Sequence, residues 1–198
     1  MMSYNYDVQN NTLVISEVDT RRWYEHIGFN FAKSEVALLL PQSAYNALIF
    51  ESDTGDLTVS GQISFAEIKV DADTSDISLD GITAQSIKID IDTGDVLTKN
   101  VNCDTLICDT TTGDVKLNGL IAVKSIDVST DTGDVTLDGC DAQTLDIDTD
   151  TGNVKGTLLS DKTFETKTDT GHINVPKTTA DEKCKITTDT GDIKINIE

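Results

Sequence analysis

At 198 residues the chain is long enough to bury a substantial core, as one or two globular domains or as a single solenoid. A net charge of −20 repels nucleic acid and anionic lipid, so both are poor partners, and leaves solubility, cation attraction or a basic partner as what the field serves. Few helix-forming runs, two prolines and short alternating segments rich in Ile, Val and Thr argue against a helical protein and for strands.

Residues 1–47 read as a separate piece. They hold three bases against five acids, or −2, which leaves −18 for the remainder, and eight of the ten aromatic residues lie within the first 50 positions. Tyr4 to Val8 alternates, Asn10-Asn11 offers a turn and Thr12 to Ser16 reads as a second strand, so a β-hairpin is expected here. Phe29-Asn30-Phe31 and Val36 to Leu40 follow as extended segments before Pro41. The open end of a solenoid exposes apolar side chains and strand edges, and aromatic residues suit a cap that covers them. No basic n-region with an apolar h-region opens the chain, and Val36 to Leu40 is too short to cross a bilayer. The expectation is either a cytoplasmic protein or one whose export or anchoring segment lies outside this sequence, with no membrane insertion by these residues.

From residue 48 to 198 one phrase recurs, as Asp92-Thr93-Gly94-Asp95 or a close variant. Its glycine column is Gly55, Gly94, Gly113, Gly133, Gly152, Gly171 and Gly191, with Ser75 in the second place, and the spacing is always 19 or 20 residues. Such a period is the signature of a solenoid. Seven residues before the column stand Leu48, Ile68, Ile87, Leu106, Ile126, Leu145, Phe164 and Cys184; two residues after it stand Leu57, Ile77, Val96, Val115, Val135, Val154, Ile173 and Ile193. Inward parity switches across the Thr-Gly step, which places a turn between two strands. Turn signals at Ser60-Gly61, Asp80-Gly81, Asn118-Gly119 and Asp138-Gly139 close each coil, and the extra residue of the longer repeats falls in the stretch beyond them, read as a tolerant loop. Two or three strands per coil and about eight coils are predicted. An antiparallel meander also satisfies the parity, but stacked coils alone explain why every column repeats its chemistry.

Asp precedes the Thr-Gly step in seven repeats and follows it in six. The preferred reading is structural: each Asp accepts hydrogen bonds from amides of its own turn, and glycine supplies a positive φ. The alternative is Ca²⁺ held on stacked carboxylates, with Asp90, Asp92, Asp95, Asp131 and Asp134 as candidate ligands, although the Glu of an EF-hand and the nonapeptide of Ca²⁺-binding β-rolls are both missing. Thr-x-Thr pairs such as Thr149/Thr151 resemble ice-binding ladders, but the first member shares parity with the buried columns, so inward hydroxyl stacks are expected instead. Cys103, Cys108, Cys140 and Cys184 also fall at interior columns and are expected to be buried free thiols. His26 and His172 have no nucleophile or paired acid placed beside them, so the chain is not read as an enzyme.

The repeats, with Asn11-Thr12-Leu13-Val14-Ile15, Arg22-Trp23-Tyr24-Glu25-His26-Ile27-Gly28-Phe29 and Leu40-Pro41, resemble the bacterial adhesin-type family of β-strand-repeat proteins, a domain of unknown function common in Firmicutes. The resemblance implies an all-β, right-handed β-solenoid displayed at the cell surface or envelope, in a family some of whose members are linked to envelope stress; this chain lacks the usual anchoring segment. The expected function is a non-enzymatic binding scaffold for a protein, a glycan or a cationic peptide. The alternatives are a self-associating structural solenoid and a Ca²⁺-stabilised module. Arg21, Arg22, Trp23 and Tyr24 form the candidate partner patch, since Arg and aromatics are enriched at hot spots, against a plain cap-packing role. Ile193 to Glu198 is expected to leave an uncapped edge and so to support end-to-end homo-oligomers.

Overall fold

The computed structural model describes residues 2–19 and 35–198, and the chain divides into two units, Met1–Leu40 and Pro41–Glu198. In the first unit β1 (Met2–Gln9) and β2 (Thr12–Asp19) pair antiparallel, with Tyr6 opposite Ile15 and Val8 opposite Leu13. Asn10 and Asn11 take φ of 49° and 62°, the two left-handed residues of a type I′ turn, which asparagine tolerates. The expected hairpin is therefore present. Tyr4, Tyr6, Val8, Leu13 and Ile15 share one of its faces and remain exposed. Residues 35–40 carry no strand, and the Phe29 to Phe31 segment lies outside the described residues.

The second unit is a stack of eight coils, each made of one long and one short strand. Coil one is β3 (Ala44–Thr54) with β4 (Leu57–Ser60), coil two is β5 (Ser64–Thr74) with β6 (Ile77–Asp80), and coil three is β7 (Thr83–Thr93) with β8 (Val96–Lys99). Coil four is β9 (Asn102–Thr112) with β10 (Val115–Asn118), coil five is β11 (Ile121–Thr132) with β12 (Val135–Cys140), and coil six is β13 (Thr144–Thr151) with β14 (Val154–Leu158). Coil seven is β15 (Thr163–Thr170) with β16 (Ile173–Asn174), and coil eight is β17 (Lys183–Thr190) with β18 (Ile193–Ile197). The long strands form one parallel sheet of eight and the short strands another. This is the all-β solenoid that the period predicts, and the parallel ladders exclude the meander.

Each coil has two strands, but the long one bends. Ala84 and Ile87 are both buried although three residues apart, which strict alternation forbids, and the ladder between β11 and β9 slips between Ala122 and Ser125. The extra residue of that repeat is thus absorbed by a bulge inside a strand rather than by a loop. Ile68, Ile87, Leu106, Val96, Val115 and Val135 are fully buried between the sheets, each contributing on the order of 2 kcal/mol of burial. Leu48, Phe50, Leu57 and Val59 of coil one are only half-buried.

Coils do not stack in chain order. In both sheets coil eight lies between coil six and coil seven, so the order along the rod ends six, eight, seven. The expected uncapped edge at Ile193 to Glu198 is therefore corrected in part: β18 pairs with β14 from Ile193 to Ile197 and, on its other side, with β16 at Ile193 and Lys194, while no described strand pairs Ile195 to Ile197 there. Side-chain chemistry explains the insertion. Coil eight points Cys184, Ile186, Thr188, Ile193 and Ile195 inward, all at most 2% exposed, whereas coil seven offers Phe164, Thr166, Thr168, Ile173 and Val175. An inner coil is covered on both sides, so the more apolar set gains more there. Pro176, which has no N–H to donate, follows directly on Val175 after the two-residue β16. Charge acts in the same direction: Lys185 sits between Asp146 and Glu165, which would otherwise be neighbours.

Candidate functional site

The most regular feature of the surface is a carboxylate ladder at the turn between the two sheets. The amide of Asp76 donates to Asp56 Oδ1 at 3.1 Å, that of Asp95 to Asp76 at 2.9 Å, that of Asp114 to Asp95 at 2.9 Å and that of Asp134 to Asp114 at 3.0 Å. The ladder continues through Asn153, Asp192 and His172, following the spatial and not the chain order. The expected capping within its own turn is thereby corrected for the Asp that follows the Thr-Gly step: its carboxylate serves the turn of the neighbouring coil, where that amide has no strand partner. These bonds and Lys116, 2.9 Å from Asp114 Oδ2, offset the repulsion between stacked acids. Asp114 is held below the usual carboxylate range by Lys116 first and then by the Asp134 amide; Asp192 is likewise lowered, first by the His172 amide.

Glycine precedes the ladder because the coils approach closely there. A Cβ built on Gly94 would lie 2.0 Å from the carbonyl oxygen of Ser75, and one on Gly133 or Gly191 would lie 1.9 Å from the carbonyl below. Gly133 and Gly191 have no left-handed φ, so contact and not conformation excludes a side chain at those two positions. Inward threonines bond the same carbonyls: Thr188 Oγ1 donates to Gly152 O at 3.1 Å, and Thr168 Oγ1 donates to Gly191 O at 3.0 Å. The first threonines of the Thr-x-Thr pairs thus face inward, as their parity predicts, while Thr132, Thr151 and Thr190 are exposed.

Of the candidate Ca²⁺ ligands, Asp90 and Asp92 are exposed on β7, Asp131 is exposed on β11, and Asp95 and Asp134 belong to the ladder. Among the described residues no group of three or more His, Cys, Asp or Glu is placed to hold a metal ion. Arg21, Arg22, Trp23 and Tyr24, the candidate partner patch, lie outside the described residues. The four cysteines are free and buried. Burial, aided by neighbouring aspartates, pushes the thiols of Cys103, Cys108 and Cys184 up to about 12 and that of Cys140 to about 11, so all four stay protonated and unreactive.

One group escaped the reading of the sequence. Lys162, in the crossover from β14 to β15, is fully buried, and its ammonium bonds Asp141 Oδ1 at 2.6 Å, Glu182 Oε2 and Ser160 Oγ. Ser160 Oγ lies 2.8 Å from Asp141 Oδ1 and 2.9 Å from Glu182 Oε2, and its single hydroxyl proton serves one carboxylate at a time. Glu182 is lowered by Lys162 first and Ser160 second. The cluster clasps the corners on either side of the inserted coil, and Thr163 Oγ1, donating to Ala180 O at 2.7 Å, closes the same crossing. The available signal was Ser160-Asp161-Lys162, a polar run just after Leu158, the register partner of Cys140, where earlier coils continue through Ala122 or Ala142.

The outward face of the long sheet carries Asp53, Asp73, Asp92, Asp131, Asp150, Asp189 and Asp169, exposed and one to a coil in every coil but the fourth, where Thr111 stands. On the short sheet an open groove is lined by Asp56, Asp76 and Asp95 with Leu97 and Lys116.

The repeat architecture defines a class, the parallel two-sheet β-solenoids built from a Thr-Gly turn. Within it the Toastrack DUF4097 family matches the chain twice, over residues 3–120 and 94–198, and the chain belongs to that family, a domain of unknown function. The overlap of the two matches falls on coils three and four, as expected where near-equivalent coils let one pattern fit in two registers. No curated protein and no solved structure matches the chain.

Proposed function

We propose that this chain is a non-enzymatic binding scaffold of the bacterial cell surface or envelope, adhesin-like, engaging a protein, a glycan or a cationic peptide through its outward strand faces. The observation that carries this reading is the column of exposed aspartates from Asp53 to Asp169, one strand spacing apart except at coil four, where Thr111 takes the place, on a sheet whose interior is filled by side chains. A rod of this kind presents a repeated surface rather than a single centre. Its field attracts cations along the whole face and repels nucleic acid and anionic lipid.

The test titrates the immobilised full chain with a decalysine peptide and, separately, with a purified cell-wall glycan, alongside protease accessibility of the protein on intact cells. The reading expects saturable binding of one probe, weakened at least about tenfold when Asp73, Asp92 and Asp131 are changed together to Asn, with the melting temperature preserved. Absence of saturable binding to both probes, or complete protection from external protease, overturns it.

A further inference from the structure

The two ends of the rod are chemically matched to each other. Among the described residues, β3 at one end pairs only with β5 and β4 only with β6; at the other end β15 pairs only with β17 and β16 only with β18. Each end therefore offers an open strand edge of the long sheet, eight residues in β15 and eleven in β3. The inward columns are also unfinished there. Leu48, Phe50, Leu57 and Val59 of coil one are half-buried, as are Phe164 and Val175 of coil seven, while Ile173 is 44% exposed. One coil further in, Ile68, Val70, Ile77 and Leu79 occupy the same columns at 0–1% exposure. The difference is what a further coil would bury.

Charge distinguishes this matched pair of ends from two sticky edges. Four residues before the repeat glycine, Glu51, Asp71, Asp90, Asp109 and Asp148 are acids, and only coil seven places a lysine there, Lys167. In the ladder column, where six coils carry Asp and one carries Asn, coil seven carries His172. Continued in register beyond coil seven, a coil one would set Glu51 beside Lys167 and Asp56 beside His172. Phe164 would meet Leu48, Ile173 would meet Leu57 and Val175 would meet Val59. The Asp56 amide, the first rung of the ladder, receives no carboxylate within its own copy among the described residues. Asp169 would stand beside Asp53, a neighbouring pair of the kind that the stack already accommodates from Asp53 to Asp73.

We propose that coil seven of one copy docks on coil one of a second copy, extending both sheets head to tail. The proposal goes beyond the scaffold reading and stands independently of it. Such a contact is heterologous and does not close, so it builds rods of increasing length rather than a fixed dimer. The short sheet contributes little, because β16 has only two residues, and the joint is held chiefly by β15 against β3.

The experiment measures the mass of the full chain by sedimentation and light scattering over a wide concentration range. The expected result is a weight-average mass that rises from 21.4 kDa through successive multiples. Lys167→Glu and Glu51→Lys each set like charges across the joint and should each weaken association about fivefold, while the double exchange restores it to within about twofold. Lys167 and Glu51 expose 65% and 70% of their side chains, and their surface pairs with Asp169 at 2.9 Å and Lys69 at 3.9 Å are of the exposed kind that adds little stability, so each change should move the melt only slightly; the melt is recorded for each variant. A monomer at every concentration, a mass that stops at two copies, or association indifferent to both single reversals overturns the proposal.

Discussion

Coils seven and eight carry the same Thr-Gly-Asp or Thr-Gly-His turn and the same columns, yet one lies inside the stack and the other at its end. Chain order would put coil eight outermost. Coil eight offers Cys184, Ile186, Ile193 and Ile195 with one Thr inward, whereas coil seven offers two, Thr166 and Thr168, so the double cover falls on the coil with the more apolar columns. In a repeat protein every coil offers nearly the same ladder, so backbone pairing does not choose among orders. Side chains do.

The sharpest way to break the comparison is to substitute equivalent positions. Ile186→Ala leaves a cavity between two neighbouring coils and should cost about 2–5 kcal/mol, whereas Thr166→Ala at the same column of coil seven should cost under about 1 kcal/mol. Urea melts of the two variants read the difference directly, and equal losses would mean that coil seven is as well packed as coil eight.

Second in size is the clasp. Lys162→Ala removes a buried ammonium from Asp141 and Glu182 and should cost about 1.5–3 kcal/mol at neutral pH. Because Glu182 titrates below its ordinary value in the folded protein, its stabilisation is present above the usual carboxylate range, near pH 4.5, and is lost as pH falls through the lowered value. The penalty for Lys162→Ala should therefore shrink in strong acid. A penalty that stays constant from pH 7 to well below pH 4.5 would show that the lysine acts by packing alone.

Much of the fold was legible because a column argument needs only the period. The hairpin turn at Asn10-Asn11, the inward columns and the buried threonines all follow from parity and turn chemistry. The order of the last two coils was not legible, since period and parity are the same in either order, and only the totals of apolar contact and the placing of Lys185 separate them. Nor was the donor to each ladder carboxylate: a carboxylate beside a turn accepts from its own amide or the next coil's, and strand spacing settled which. Lys162 was hidden because a lysine beside Ser160 and Asp161 reads as a solvated corner, and burial there depends on Asp141 and Glu182, some 20 residues away on either side. In the glycine column the positive φ holds at Gly55, Gly94, Gly113 and Gly171, while at Gly133, Gly152 and Gly191 the contact with the neighbouring carbonyl excludes a side chain, a cause that period and turn chemistry do not reveal.

The smallest expected effect tests whether electrostatics alone favours the six, eight, seven order. Asp127 lies opposite Asp146, which in turn bonds Lys185 of the inserted coil at 3.0 Å. Asp127 has no lysine of its own, and its carboxyl is raised above the usual value by burial first and then by Asp146 and Asp109. A raised acid is harmless below its unfolded value, when it is neutral in both states, and weakens the fold as pH rises through the folded value. Asp127→Asn should consequently stabilise by a few tenths of a kcal/mol at pH 7, a gain about the size of one cross-strand pair, and should do nothing well below pH 4. Adding Lys185→Gln uncouples Asp146 from the lysine that bonds it and should enlarge the gain from Asp127→Asn, because Asp146 then repels its neighbour unscreened. If the gain is the same with Gln at position 185, the lysine of coil eight does not relieve this column, and burial of Ile186 and Ile193 alone accounts for the inserted order.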